Sequence, residues 1–335
     1  MDGLKTPESL KTLILTEEDV KAILTMADTM RAVEHAFEMH GRNEIQMPPK
    51  VYLTFEKGDL RAMPAFLGGY AGLKWVNSHP ENPEKGLPTV MAVLILNDPE
   101  TGFPLAIMDA THITNMRTGA AGGIAAKYLA RKDSKVFGFV GCGRQAYTQL
   151  DALLEVFSVE KVLAYDISSS HAEKFVSHCT ELGIDAKAVD IREACNCDVL
   201  TTTTPSRKPV VKDEWIKEGT HINAIGADAP GKQELESSLL KRAKVVVDDM
   251  EQATHGGEVN VPISEGVIKP EDIYATLGEV IVGVKPGRES DEEITIFDST
   301  GLAIQDISTA SVVYENAIKR NVGLATRLFD FLPGR

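Results

Sequence analysis

The chain has 335 residues, of which 43% are hydrophobic and 25% charged, and its formal net charge is −14. That length exceeds one ordinary core and implies two domains, with room for one to be discontinuous, while the acidity argues against nucleic acid and anionic membrane surfaces as partners. The longest apolar stretches, such as Val90 to Leu96, are strand-sized and predict no membrane span, and the opening MDGLKTPESL lacks the basic and apolar regions of a signal peptide, which points to a cytoplasmic protein.

The polar stretch Met1 to Lys11 reads as disordered or as an added extension. Thr16-Glu-Glu-Asp19 and Thr25-Met-Ala-Asp28 each set a hydroxyl three residues before an acid, which predicts two helices, the second with Met30, Val33 and Phe37 on one face. Between 50 and 110, strands are predicted at Val51 to Phe55, Leu60 to Met63, Gly72 to Val76, Val90 to Leu96 and Leu105 to Met108, giving an antiparallel or mixed sheet. A small-residue helix follows over Thr118 to Ala130, where Gly119, Gly122 and Gly123 permit close backbone approach. From about 135 the pattern alternates strand and helix, the signature of a doubly wound parallel sheet. Its strands are predicted at Val136 to Val140, Lys161 to Tyr165, Val199 to Thr203, His221 to Ile225, Val245 to Asp248 and Ile294 to Phe297. The last helix sets Ile307, Ala310, Tyr314, Ala317 and Ile318 on one side, an apolar face left over to return to the first domain.

The phosphate loop of a dinucleotide site is predicted at Gly141-Cys142-Gly143-Arg144-Gln145-Ala146. Three small residues recur by chance, so the context matters more. Here the motif follows a strand, opens an amphipathic helix, and precedes an acid, Asp166, at the end of the next strand. Gly141 permits the tight turn, Gly143 lets a pyrophosphate reach the backbone, and the helix N-terminus offers unpaired N–H groups. Arg144 adds a charge. Asp166 would accept from the adenosine ribose hydroxyls and repel a 2′-phosphate, which favours NAD over NADP.

Arg61, Lys74 and Arg117 are basic residues in otherwise apolar segments, and each requires an anion or a cleft if buried. Two arginines and a lysine suit a small carboxylate ligand, with guanidinium forks for the carboxylate and a lysine for proton exchange. In Gly226-Ala227-Asp228-Ala-Pro-Gly-Lys232-Gln-Glu234, Asp228 either faces the nicotinamide at a strand's carboxyl end or caps the next helix. The hydroxyls of Thr201 to Thr204, Thr203 among them, either touch the cofactor or solvate a turn. Cys195 and Cys197 form a C-x-C pair without further ligands at zinc spacing, so no metal is expected.

Taken together, these motifs resemble the ornithine cyclodeaminase and μ-crystallin family, and within it the archaeal alanine dehydrogenase branch. The resemblance runs in family order through Arg61-Ala-Met-Pro64, Gly72 to Pro80, Leu87-Pro-Thr89, Met116 to Ala121, Gly141 to Ala146, Thr202 to Ser206, Gly226 to Glu234 and Asp298-Ser-Thr-Gly301, so it covers nearly the whole chain. It implies an α/β architecture: a Rossmann-type NAD-binding domain over 119–302, and an α+β substrate-binding and dimerisation domain made of 1–118 with 303–335. A homodimer is implied as well. Lys74 would be the acid/base, Arg117 the carboxylate clamp, and Asp228 the carboxylate that handles water or amine. Thr89, Arg117, Thr118, Asp166, Thr203, Gly226, Ala227, Lys232 and Ser299 would line the cofactor site.

Ornithine cyclodeaminases, by the family pattern, carry a glutamate where this chain has Arg61, which would repel a distal ammonium and favour a short amino acid. The expectation is therefore reversible oxidative deamination of L-alanine to pyruvate and ammonium with NAD. Its rivals are ornithine cyclodeaminase, a ketimine or imino-acid reductase or opine-forming dehydrogenase, and a crystallin-like binding protein without turnover.

Overall fold

The structure is a computed structural model, and it describes residues 10–329. All of the polar Met1 to Lys11 stretch except its last two residues lies outside the described residues.

The chain folds as two units. Of the described residues, the first takes 10–32, Ile45–Thr114 and 303–329, and the second takes Val33–Glu44 and Asn115–Leu302. These boundaries differ from the expected ones at two places, each with a local cause. Residues 33–44 group with the second unit because Gly41 lies against the Gly278 carbonyl, where a Cβ would stand 2.4 Å from the oxygen, and the Phe37 ring meets Phe297 edge-on at 6.5 Å. The small-residue helix runs Thr111–Leu129, starting before the expected Thr118, because the Asp109 carboxylate takes the N–H groups of Thr111 and His112 at 3.2 and 3.0 Å. The division falls inside that helix, so Arg117 and Thr118 belong to the second unit.

The first unit is built on β1 (Thr12–Leu15), β2 (Val51–Phe55), β3 (Gly58–Leu67), β4 (Tyr70–Ser78), β5 (Ala92–Asn97), β6 (Pro104–Asp109) and β15 (Leu324–Thr326). They form a seven-stranded mixed sheet in the order β15-β1-β6-β5-β4-β3-β2. β2 to β6 are an antiparallel meander, and β1 pairs parallel with β6. Helix Ala303–Arg320 packs on β3 and β4, burying Ile307, Ala310, Val313 and Ala317. Ile318, expected on that face, is exposed, since the buried stripe runs through Ala303, Ile307, Ala310, Val313 and Ala317 and Ile318 falls past its edge. The hydroxyl caps at Thr16 and Thr25 both form, each closed by its acid three residues on.

The second unit holds β7 (Val136–Val140), β8 (Lys161–Tyr165), β9 (Asp185–Ala188), β10 (Val199–Thr202), β11 (His221–Ala224), β12 (Lys244–Val247), β13 (Ala275–Thr276) and β14 (Thr295–Asp298). All pairings are parallel, in the order β13-β12-β14-β11-β10-β7-β8-β9. The chain enters at β7, winds outward to β9, then returns to β10 on the other side. The switch point between β7 and β10 is where such sheets open a ligand crevice beyond their carboxyl ends. The glycines of Thr111–Leu129 do allow close approach: a Cβ on Gly119 would stand 2.2 Å from the Thr148 carbonyl oxygen, and one on Gly122 2.0 Å from Gln149 Oε1.

Candidate functional site

In the second unit, the loop Gly141-Cys142-Gly143 leaves β7 and helix Arg144–Leu154 begins with Gly143 as its N-cap. Gly141 has φ +93°, a left-handed conformation that a side chain would strain. A Cβ on Gly143 would meet nothing within 4 Å. Packing of the protein therefore does not require glycine there, whereas a close-lying pyrophosphate would. Ala146, in the third small position, is fully buried against the core of this unit, while Arg144 is exposed. Gln145 donates to Asn115 Oδ1 at 3.2 Å.

Asp166 stands just past β8, with its carboxylate accepting the N–H of Cys142 and that of Ser168, both at 2.8 Å. A carboxylate has about four acceptor positions, so these two bonds hold it in place and leave capacity for ribose hydroxyls. The Thr203 hydroxyl crosses the switch point and donates to the Gly141 carbonyl at 2.8 Å. The neighbouring hydroxyls turn inward. Thr202 and Thr204 donate to the buried Glu234 carboxylate at 2.7 and 2.8 Å, and the N–H of Gly226 donates to the same group at 2.8 Å. They neither solvate a turn nor face outward. Glu258 in turn accepts the N–H groups of Glu234 and Leu235 at 3.0 and 2.7 Å. Burial pushes both carboxyls above the usual range, Glu258 further, with the charge of Glu234 adding to it.

Asp228 caps no helix, since the next one, Ser237–Arg242, has Glu236 as its N-cap. It pairs with Lys232 at 2.5 Å, one turn along the loop, with Ala227 buried beside it. Arg117 is 6% exposed, and its guanidinium fills the space where a Cβ on Gly301 would stand, 2.6 Å from Nη1. Asp248 accepts the N–H groups of Thr300 and Gly301 at 2.7 and 2.8 Å, bracing the loop after β14. Thr118 is buried, and its carbonyl accepts from Gln149 at 2.9 Å. Ser299 Oγ is buried with no hydrogen-bond partner among the described residues, and a ligand amide would satisfy it. The open Cβ space at Gly143, the spare acceptor capacity of Asp166 and this hydroxyl all fit a dinucleotide.

In the first unit, Lys74 occupies a row of paired residues across five strands: Met63, Lys74, Leu94, Met108 and Leu15. All five are buried, and Lys74 is 1% exposed. Its ammonium lies 2.6 Å from Asp306 Oδ2, on helix Ala303–Arg320, and 3.4 Å from Thr114 Oγ1. Arg61 shares this face of the sheet, diagonal to Lys74, because it pairs with Val76 while Met63 pairs with Lys74. Its guanidinium is forked on Asp59, two residues back on the same face, at 2.7 and 3.2 Å, and stands over the Tyr52 ring at 5.5 Å. Thr89 lies in the loop before β5, where its carbonyl accepts the N–H of His79 at 2.9 Å.

Sequence reasoning misses four acids at these sites: Asp306, Asp59, Asp248 and Glu258. For Asp306 a signal exists, since it falls on the same helical stripe as Ala303, Ile307, Ala310 and Val313, and a carboxylate on an apolar stripe needs a buried partner. Burial also pushes the Cys195 thiol up to about 12 and raises the Cys197 thiol well above its ordinary value.

A sequence model described as "Ornithine cyclodeaminase/mu-crystallin family" matches residues 10–321. The chain belongs to this family. It is 68% identical over 320 residues to an alanine dehydrogenase of Archaeoglobus fulgidus, covering 96% of this chain and 99% of that protein. A solved archaeal alanine dehydrogenase dimer with bound NAD superposes with a TM-score of 0.95 at 68% identity, over 96% of this chain and 100% of that one. The Δ1-pyrroline-2-carboxylate reductase of Thermococcus litoralis, solved with NADH and L-proline, superposes with a TM-score of 0.91 at 44% identity, over 93% of this chain and 99% of that one. Among the described residues, no helix is long and apolar enough to cross a membrane.

Proposed function

We propose that this chain is an NAD-dependent L-alanine dehydrogenase, catalysing the reversible oxidative deamination of L-alanine to pyruvate and ammonium. The observation that carries the reading is the 68% identity to the archaeal alanine dehydrogenase, sustained over 96% of the chain. The second unit is proposed as the NAD-binding domain. There Gly141, Gly143, Arg144, Gln145 and Ala146 present the helix N-terminus to the pyrophosphate, Asp166 takes the ribose, and Thr118, Thr203, Gly226, Ala227, Lys232 and Ser299 line the site. Bound NAD supplies the hydride acceptor. The first unit is proposed as the substrate-binding and dimerisation domain, with Thr89 as its cofactor contact.

The proposed roles follow each group's chemistry. Lys74 is the acid/base that exchanges protons at the substrate nitrogen and the attacking water, since a buried ammonium can hold or release a proton at a fixed point. Arg61 and Arg117 take the substrate carboxylate, because guanidinium groups bind it bidentately. Asp228, released from Lys232, shuttles a proton to or from water. The working form is proposed as a cytoplasmic homodimer. Support for the dimer comes from the outer face of the first sheet, where Val51, Leu53, Phe55, Trp75, Val93 and Ile95 all lie on one side and are exposed.

The direct experiment is NADH formation with L-alanine and NAD, followed by NADH loss with pyruvate and ammonium. Both signals are expected. Absence of both, with NADH loss on a cyclic imino acid instead, would transfer the chain to the reductase reading that the 44% identity to the pyrroline carboxylate reductase favours.

A further inference from the structure

Packing alone does not call for a charge at Lys74. The rest of its row is Met63, Leu94, Met108 and Leu15, and an apolar residue of similar length would fill the same space. Burying an ion pair is commonly no better for stability than replacing both partners by apolar residues, because desolvation offsets the attraction. The pair nevertheless has both members out of solvent, at 1% and 0% side-chain exposure, and 2.6 Å apart. The carboxylate is supported from a second direction as well. Asp306 lies in the first turn of helix Ala303–Arg320, where the helix dipole favours a negative charge. On the other side, Thr114 Oγ1 stands 3.4 Å from the ammonium and itself donates to the Ala110 carbonyl at 2.7 Å, so it is fixed too.

We propose that Asp306 is a positioning residue for catalysis: by pairing with Lys74 on the inner face of the first sheet, it sets where the ammonium stands and so where protons are delivered and taken back. This rests on the proposed role of Lys74. A lysine side chain is a flexible stem, and its head group is a point charge without directional preference. Only a fixed counter-charge gives it one location, and a displacement of about 1 Å at a catalytic group can cost about 10²-fold in rate.

Asp306→Glu keeps the charge and moves it outward by one methylene, whereas Asp306→Asn keeps the shape and removes the charge. The proposal expects both to lower kcat for alanine by about 10²-fold. NAD affinity, measured by fluorescence titration, should stay at the wild-type value, and the loss should fall on kcat rather than on KM. Asp306→Asn added to Lys74→Ala should cost no further activity, since the carboxylate acts only through the lysine. Wild-type kcat in a folded Asp306→Glu enzyme would overturn the proposal, and so would losses that multiply in the double variant. Should Asp306→Asn fail to fold, Asp306→Glu decides alone. The wild-type assay judges the parent reading separately: activity on a cyclic imino acid in place of alanine moves the same comparison to that substrate, and inactivity on both overturns parent and proposal together.

Discussion

The carboxylate of Asp166 accepts the main-chain N–H of Cys142 at 2.8 Å, tying the end of β8 to the glycine loop after β7. The acid that would read the ribose thus also holds the loop that would cradle the pyrophosphate. Asp166→Ala is expected to weaken NAD binding by about 1.5–3 kcal/mol, the usual worth of hydrogen bonds to a charged group. It should also lower the melting temperature, because Cys142 and Ser168 both lose an acceptor. Titration of NADH fluorescence and a thermal melt read the two effects, and unchanged NAD affinity would remove Asp166 from the cofactor site.

The two loop glycines should behave differently. Gly143→Ala adds a methyl group where the protein offers open space, so stability should stay within about 0.5 kcal/mol of wild type while NAD affinity falls. Gly141→Ala forces a side chain into φ +93°, and should destabilise the fold by roughly 1–2 kcal/mol with or without NAD. Denaturant unfolding in the absence and presence of NAD separates the two.

Replacing both members of the buried pair, as in Lys74→Met with Asp306→Leu, should give a folded protein at least as stable as wild type. It should bind NAD and turn over alanine about 10²- to 10⁴-fold more slowly, the range lost with a general acid or base. Lys74→Met alone leaves the Asp306 charge buried without its lysine and should cost about 3–5 kcal/mol. Near-wild-type turnover in the double variant would remove Lys74 from the chemistry.

Stability should respond to pH with opposite signs at two buried groups. Burial holds His221 at about 3, against 6.5 for the free group, even though it bonds Asn223 and Thr295. Between those values the unfolded chain binds a proton that the native chain refuses, so this group favours folding less as pH falls through 6.5. Burial pushes Asp298 up to about 8 from 3.8, with the charges of Asp248 and Glu234 adding to it. Between about 4 and 8 the native chain keeps a proton that the unfolded chain has released, so stability falls as pH rises through that range. Glu234 and Glu258, raised as well, act in the same direction. Melting temperatures should therefore decline from about pH 6.5 to about 8, and Asp298→Asn should flatten that decline. His221→Gln should flatten the acid side. An Asp298→Asn profile parallel to wild type over the same range would show that Asp298 is ionised in the native state.

Trp75 and Val93 are directly paired on the outer face of the first sheet and both exposed. Trp75→Asp or Val93→Asp should shift the protein from dimer to monomer in light scattering after gel filtration, since a charge desolvated at an apolar interface is costly. A dimer that persists in both variants would place the interface elsewhere.

Features carried by residues close in the chain were legible in the sequence. The Thr16 and Thr25 caps, the strands β2 to β5, the glycine turn after β7 and the acid after β8 each depend on spacings of a few residues. Local hydrogen bonds and side-chain periodicity suffice to specify them. The strands β13 and β15, of two and three residues, are too short to show a period, and exist only because a neighbouring strand satisfies their backbone groups. The candidate site divides in the same way. Lys74, Arg61, Asp166 and Asp228 stand out as charges in apolar or strand-end settings, but the groups that hold them were decided by tertiary structure. Asp306 reaches Lys74 from the last long helix and Glu234 gathers the hydroxyls of Thr202 and Thr204, whereas Asp59, two residues from Arg61 on the same strand face, is a local partner that strand periodicity alone could have shown. A sequence displays which buried charges need a partner, because desolvation makes that demand residue by residue. Which partner answers depends on chain reversals and helix packing that bring distant segments together, and only the folded chain shows those.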